Sequence, residues 1–252
     1  MPRYRAVLFD MFDTLVRFNR DRLPTLEVNG REVRSSVACL FPVAAAALPG
    51  VTVDAFYDAF LASYRDAERH REVDHREIPA PERFAFCYAR LGIDPARVPP
   101  GLTERLIGLH MACLAEVAEP LPGRPELLDW LADRYRLALV SNFDYTPTVR
   151  RILEQHGILD RFEAVVVSDV VGWRKPSARI FEATFTRLGV GARDCLFVGD
   201  RPDIDVAGAK RVGMDAGWFN PGGEPFPDGL PRPDFTLGRL ADLRTVLEGR
   251  EA

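Results

Sequence analysis

The sequence has few cysteines, no long apolar run and no excess of basic charge, and each shortage closes off a class of protein. Four cysteines, Cys39, Cys87, Cys113 and Cys195, are spread over 252 residues. They are widely spaced and three of them sit in apolar or helical-looking segments, so buried thiols in a reducing compartment are expected, with disulfide pairing the lesser alternative. The apolar stretch within MPRYRAVLFDMFDTLV is too short to span a membrane and is interrupted by Asp10 and Asp13. No secretory leader or transmembrane pattern is read, so a cytoplasmic location without a membrane partner is expected. Thirty-three basic against thirty-seven acidic side chains leave a net charge of −4, which provides no footprint for nucleic acid. His70, His75, His110 and His156 lack metal-ligand spacing and are expected on helices or at the surface. Internal repeats and low-complexity tracts are missing too, and nothing in the pattern sets an oligomeric state.

What is present is the mixture of a globular protein, 47% hydrophobic and 28% charged, at a length that suits one core plus a smaller insert. Apolar runs at Tyr4 to Phe9, Arg136 to Ser141, Ala164 to Ser168 and Cys195 to Gly199 predict buried parallel strands. Helical spacing recurs between them, at Thr148 to His156 and Ser177 to Leu188. Strand and helix in alternation predict an α/β fold with a doubly wound, Rossmann-like parallel sheet. Ligands of such sheets bind beyond the carboxyl ends of the strands. Polar residues stand there in this chain: Asp10, Ser141 with Asn142, and Asp200.

From about Phe18 to Pro120 the alternation stops. Leu26 to Val33 carries an Asn29-Gly30 turn between short alternating arms, which predicts a hairpin. Helix-like segments follow near Ser35–Leu48, Val53–Arg71, Pro81–Leu91 and Thr103–Val117, separated by Pro or Gly. Residues 18–120 therefore form the expected hairpin and α-helical cap, inserted into a catalytic core made of 1–17 and 121–252. Within the cap, the charged run from Arg65 to Arg83 either lines a pocket for an anionic substrate or forms a solvated helix face. The Pro-rich stretch from Asn220 to Pro233 predicts a surface connection to a last strand near Asp234–Leu237.

Four pieces bear chemistry. Asp10 ends the first strand, with Phe12, Asp13 and Thr14 in the following turn. Ser141 and Asn142 end another strand, where a hydroxyl and backbone N–H groups can hold an anionic oxygen. Gly172-Trp173-Arg174-Lys175-Pro176 offers a compact cation ahead of a helix that Ser177 can cap. Gly199-Asp200-Arg201-Pro202-Asp203-Ile204-Asp205 crowds three carboxylates after a strand. Close carboxylate pairs repel by roughly 4 kcal/mol at an effective dielectric of 20, so the group calls for a cation. Oxygen-only ligation suits Mg²⁺.

In this order and spacing the four pieces resemble the haloacid dehalogenase superfamily, and the resemblance covers core and cap. It implies that Asp10 attacks the substrate and forms a covalent aspartyl intermediate. Ser141 and Asn142 would bind the transferring group, Lys175 would pair with Asp10 and substrate charge, and Thr14 would orient Asp10. Mg²⁺ would be held by Asp10, the backbone carbonyl of Phe12 and Asp200, with Asp205 a direct or indirect ligand. The implied activity is a Mg²⁺-dependent phosphatase acting on a small, anionic phosphorylated metabolite.

One position departs from that pattern. Family phosphatases usually carry a second Asp two residues after the nucleophile as general acid and base, a role typically worth 10²–10⁴-fold. This chain has Phe12 there. Asp13, where the family typically has Gly, is either a turn residue or a displaced substitute. A bulky aromatic at this position is similar to the metal-independent 2-haloacid dehalogenases, which typically lack the full acidic motif kept here in Asp200, Asp203 and Asp205. Phosphatase, dehalogenase and catalytically silent binding protein are thus the three expectations carried forward, in that order.

Overall fold

The computed structural model describes residues 3–251. By its internal contacts the chain divides into two compact units, Met1–Arg17 with Glu119–Ala252, and Phe18–Ala118. In chain order the strands and helices are β1 (Ala6–Phe9), β2 (Val16–Phe18), β3 (Thr25–Val28), β4 (Arg31–Arg34), α1 (Val37–Ala47), α2 (Val53–Asp74), α3 (Ala80–Arg90), α4 (Leu102–Glu116) and β5 (Ala118–Pro120). There follow α5 (Arg124–Ala132), β6 (Arg136–Ser141), α6 (Thr146–Gln155), β7 (Ala164–Val167), α7 (Ser168–Val171), α8 (Ala178–Leu188), β8 (Cys195–Gly199), α9 (Ala207–Arg211), β9 (Asp215–Phe219), β10 (Phe235–Leu237) and α10 (Asp242–Glu251).

The first unit is built on a six-stranded sheet in the order β10-β9-β8-β1-β6-β7, with every described pairing parallel. All residues of β1 and β8 are buried, as strands covered on both faces must be. The α/β expectation holds in this unit. Side chains of Leu8, Val140, Val166, Phe197 and Ala216 pack with Ile180, Phe181 and Leu188 of α8 in one apolar cluster. Helix α8 starts where expected, with the Ser177 hydroxyl accepting from Arg179 N–H.

Three differences from the sequence expectation have local causes. Tyr4 and Arg5 precede β1 rather than belonging to it; Arg5 N–H donates to Asp194 O, and the Tyr4 hydroxyl donates to Asp215. Ser168 does not close a strand but opens the short helix α7. Strand β9 went unread because Asp215 and Gly217 interrupt its apolar pattern. A Cβ at Gly217 would overlap the Phe235 ring, so the glycine is what lets β10 close against β9.

In the second unit β3 and β4 form the expected antiparallel hairpin, Val28 opposite Arg31, with Asn29 and Gly30 at φ 50° and 69°. Both turn residues lie in the left-handed region, as a two-residue hairpin loop demands. Four helices follow, close to their expected limits. Helix α2 is capped by the Thr52 hydroxyl accepting from Ala55 N–H and runs three residues beyond its expected end before His75, at φ 63°, stops it. The Arg65–Arg83 run is not a simple solvated face: Arg83 is 0% exposed, and Arg71 and Glu77 are buried and ion-paired at 2.7 Å. Among the described residues no helix is long and apolar enough to cross a membrane, and the four cysteines are free thiols.

Candidate functional site

Several candidate residues of the first unit sit at or just beyond the carboxyl end of a parallel strand. Asp10 follows β1, Ser141 and Asn142 end β6, Ser168 and Asp169 follow β7, and Asp200 follows β8. Parallel register brings these ends to one edge of the sheet: Phe9 lies opposite Leu139 and Val198, and Ser141 opposite Val167. Strands far apart in sequence thus present their first polar residues side by side.

Lys175 reaches into the middle of this edge. Its ammonium lies 2.5 Å from Asp10 Oδ1 and 2.8 Å from Asp205 Oδ1, and it is buried. Asp10, Asp200 and Asp205 each offer a carboxylate oxygen within 4.8 Å of the others. Three carboxylates therefore converge, and one ammonium is paired with two of them. Burial, with repulsion from Asp10, Asp205 and Asp13, pushes the Asp200 carboxyl up to about 7. Burial also pushes Asp10 up to about 6 against the pull of Lys175. Burial lowers the Lys175 ammonium, but its two carboxylates outweigh that and hold it above its ordinary range. The donor set is hard oxygen with surplus negative charge, which fits a Mg²⁺-type cation.

Local geometry explains how these groups are held. Val206 N–H donates to Arg201 O across Pro202–Val206, a wide π-type turn that swings Asp205 back under Gly199. The Asp205 carboxylate accepts from Arg201 N–H at 3.0 Å. A Cβ at position 199 would overlap that carboxylate, so Gly199 is required by close approach. Trp218 of β9 donates its indole N–H to Asp200 O at 2.9 Å, bracing the same loop. Thr14 is buried, and its hydroxyl donates to Asp10 Oδ2 at 3.4 Å, the long end of a hydrogen bond.

Ser141 is fully buried and its Oγ has no hydrogen-bond partner among the described residues. A native buried hydroxyl is seldom left so, unless a ligand, ion or water completes it. Asn142, expected to touch substrate, has its amide committed elsewhere: Nδ2 donates to Lys175 O at 2.9 Å, and Oδ1 accepts from Lys175 N–H at 2.7 Å. It ties the Lys175 loop to the end of β6.

Two residues of the edge were missed from sequence. Ser168 Oγ accepts from Phe143 N–H at 3.0 Å and lies 3.1 Å from Phe143 O, and Asp169 accepts from the Thr146 backbone N–H at 2.7 Å and from its hydroxyl. They pin the turn that carries Ser141. The usable signal was a polar pair at a strand's carboxyl end, the same one that singled out Asp10. Phe12, bridged to Val16, sets its ring 5.0 Å from that of Phe143, so an apolar pair stands where a second acid would. Asp13 adopts φ 61° and its N–H donates to Val16 O at 2.6 Å, the geometry of a turn residue. Trp173 stacks under Arg179, with the guanidinium carbon 3.8 Å from the ring centre.

Comparison with known proteins agrees with this architecture. Residues 101–213 match the family model described as haloacid dehalogenase-like hydrolase. The chain is 30% identical over 167 residues to pyrimidine 5'-nucleotidase YjjG of Escherichia coli, covering 66% of this chain and 69% of that protein. It is 26% identical over 249 residues to a glyceraldehyde 3-phosphate phosphatase of Methanopyrus kandleri, covering 96% and 97% of the two chains. Among solved structures, a 2-haloacid dehalogenase from Pseudomonas syringae superposes with a TM-score of 0.72 at 22% identity, covering 99% and 100% of the two chains. At that identity the likeness is one of fold.

Proposed function

The chain belongs to the haloacid dehalogenase-like hydrolases, and from that premise we propose that it is a Mg²⁺-dependent phosphatase of a small phosphorylated metabolite. The observation that carries this reading is the excess of three converging carboxylates over one buried ammonium. Such an excess has a use only if a cation and an anionic substrate complete it. The names of the Escherichia coli and Methanopyrus kandleri relatives both point to phosphate esters. The α/β unit is the catalytic core in this reading, and the helical unit is its cap.

Asp10 attacks phosphorus, the ester P–O bond breaks, and the leaving group departs with the bonding pair. Water then attacks the aspartyl phosphate, and breaking the P–O bond to Asp10 releases phosphate and restores the carboxylate. Ser141 Oγ donates to a phosphoryl oxygen, which satisfies its buried hydroxyl. Lys175 keeps its proton and neutralises charge on Asp10 and the transferring group, while Asp205 holds that ammonium in place. Asp10, Asp200 and the Phe12 carbonyl are the ligands offered to Mg²⁺. When bound there, the ion neutralises phosphoryl oxygens of a transition state governed by charge and position.

Phe12 and Phe143 supply no proton to a departing oxygen, so substrates whose leaving group is stable as an anion are expected to be favoured. The test is hydrolysis of a series of aryl phosphates with and without EDTA. Turnover is expected to vanish on chelation, return with Mg²⁺, and fall steeply as the leaving group becomes more basic. Metal-independent release of halide from a 2-chloro or 2-bromo acid would overturn this reading in favour of a dehalogenase. Failure to trap beryllium fluoride at Asp10 would favour a silent binding protein.

A further inference from the structure

The four thiols do not share one environment. Cys87 lies fully buried on α3, and Cys195 opens β8 with its thiol donating to Gly191 O at 3.3 Å. Cys39 on α1 and Cys113 on α4 are different. They belong to one apolar cluster with Leu23, Val117 and Phe18, and the Cys39 thiol is close enough to that of Cys113 to raise its pKa. Cys113 is buried, whereas Cys39 is partly exposed. One residue of the pair is thus partly open to solvent and the other is buried in the same cluster.

We propose that Cys39 and Cys113 are a reversible disulfide site, closed by exchange with a low-molecular-weight disulfide such as oxidised glutathione. In the first step the Cys39 thiolate attacks one sulfur of the small disulfide. One glutathione leaves as thiolate and takes up a proton, and a mixed disulfide remains on Cys39. In the second step Cys113, having released its proton to solvent, attacks the Cys39 sulfur and expels the second glutathione. Two protein thiols and one small disulfide become one protein disulfide and two small thiols, so electrons and atoms balance.

The order of attack follows from the surroundings. Burial, with the neighbouring Cys39 thiol, pushes Cys113 up to about 12, so it is a poor first nucleophile and acts as the resolving thiol. Its small thiolate fraction is offset in the second step by the high effective concentration of the neighbouring mixed disulfide. The bond would tie the first helix of the helical unit to its last, next to Phe18 and Val117 at the two ends of that unit's chain. A cross-link enclosing α1 through α4 restrains most of the unit's unfolded chain.

The experiment uses the full chain, incubated at pH 8 with oxidised glutathione, quenched with a thiol alkylator and analysed by mass spectrometry. Two of the four thiols are expected to become unreactive, the protein to be two hydrogens lighter with no glutathione retained, and a non-reducing digest to join the peptides of Cys39 and Cys113. Dithiothreitol should restore all four. The unfolding midpoint of the oxidised form should rise by roughly 5 °C or more. Cys113→Ser should instead accumulate glutathione on Cys39, and Cys39→Ser should take up none in this unit. Four reactive thiols in the treated wild-type protein, arrest at the Cys39 mixed disulfide, or a link to Cys87 or Cys195 would each overturn the proposal. The wild-type digest decides the question even where a variant fails to fold.

Discussion

Two clusters of buried charge, one in each unit, differ in the balance of charge they hold. In the α/β unit, Asp10, Asp200 and Asp205 outnumber Lys175, and the Ser141 hydroxyl finds no partner. In the helical unit, Arg71 is paired with Glu77 and donates to Ile78 O, and Arg83 lies over the Tyr64 ring at 4.0 Å. His110 sits between the hydroxyls of Ser36 and Tyr64, 2.8 and 2.7 Å from its two ring nitrogens. Both clusters contain the residue types of active sites. The first holds more carboxylates than cations and a hydroxyl without a hydrogen-bond partner, whereas in the second His110 and the terminal nitrogens of Arg71 are held by neighbours and only the Arg71 Nε goes without such a bond among these two residues. Surplus carboxylate charge, rather than the mere presence of charged residues, is what singles out the first cluster as the candidate site.

Removing charge from each cluster sharpens the contrast. Asp10→Asn deletes the proposed nucleophile and relieves a repulsion, so turnover should drop to background while the thermal midpoint holds or rises; residual turnover with trapped phosphoenzyme would break the comparison. Arg71→Met leaves Glu77 buried without this partner and should cost about 3–5 kcal/mol in the unfolding of the helical unit. Denaturant melts read that directly, and a cost under about 1 kcal/mol would mean that the cluster is less internally balanced than its geometry says.

Ser141→Ala is the finer probe of the catalytic edge. It removes a donor that has no structural partner, so kcat is expected to fall by about 10²–10³-fold with stability unchanged or slightly improved. A large loss of stability instead would assign that hydroxyl to the fold. The smallest effect concerns His110. Burial, with Arg83 nearby, holds its imidazole well below the ordinary 6.5. The unfolded chain therefore takes up a proton below pH 6.5 that the folded unit refuses. Stability is full above that pH and is lost as the pH falls, by up to about 1.4 kcal/mol per unit. Melting from pH 7.5 down to about 5.5 should follow that slope, and His110→Gln should flatten it.

Much of this was legible before any coordinates. The apolar runs at Arg136–Ser141 and Cys195–Gly199 coincide with strands, because a strand buried on both faces must be apolar throughout. Asn29-Gly30 announced the hairpin because few other residue pairs accept two left-handed positions. Asp10, Ser141 and Asp200 stood out as candidates because ligands of such a sheet bind beyond its strand ends, and Lys175 because it is a cation in the loop ahead of a helix. Strand β9 escaped because Asp215 and Gly217 carry no strand pattern until Phe235 packs over the glycine. Asn142 was read as a substrate contact because its amide bonds to Lys175, 33 residues away, leave no trace in local spacing.

The sequence alone determined the fold class and the chemical inventory, since periodicity and strand-end polarity are written in neighbouring residues. Only the tertiary structure decided which charges face one another. It brought Asp205 to Lys175 through a wide turn over Gly199, set Ser168 under Phe143, put Cys39 beside Cys113, and buried Arg83 and His110 in the helical unit. Those outcomes depend on long-range packing, where distance in space, and not along the chain, fixes the energy of every pair.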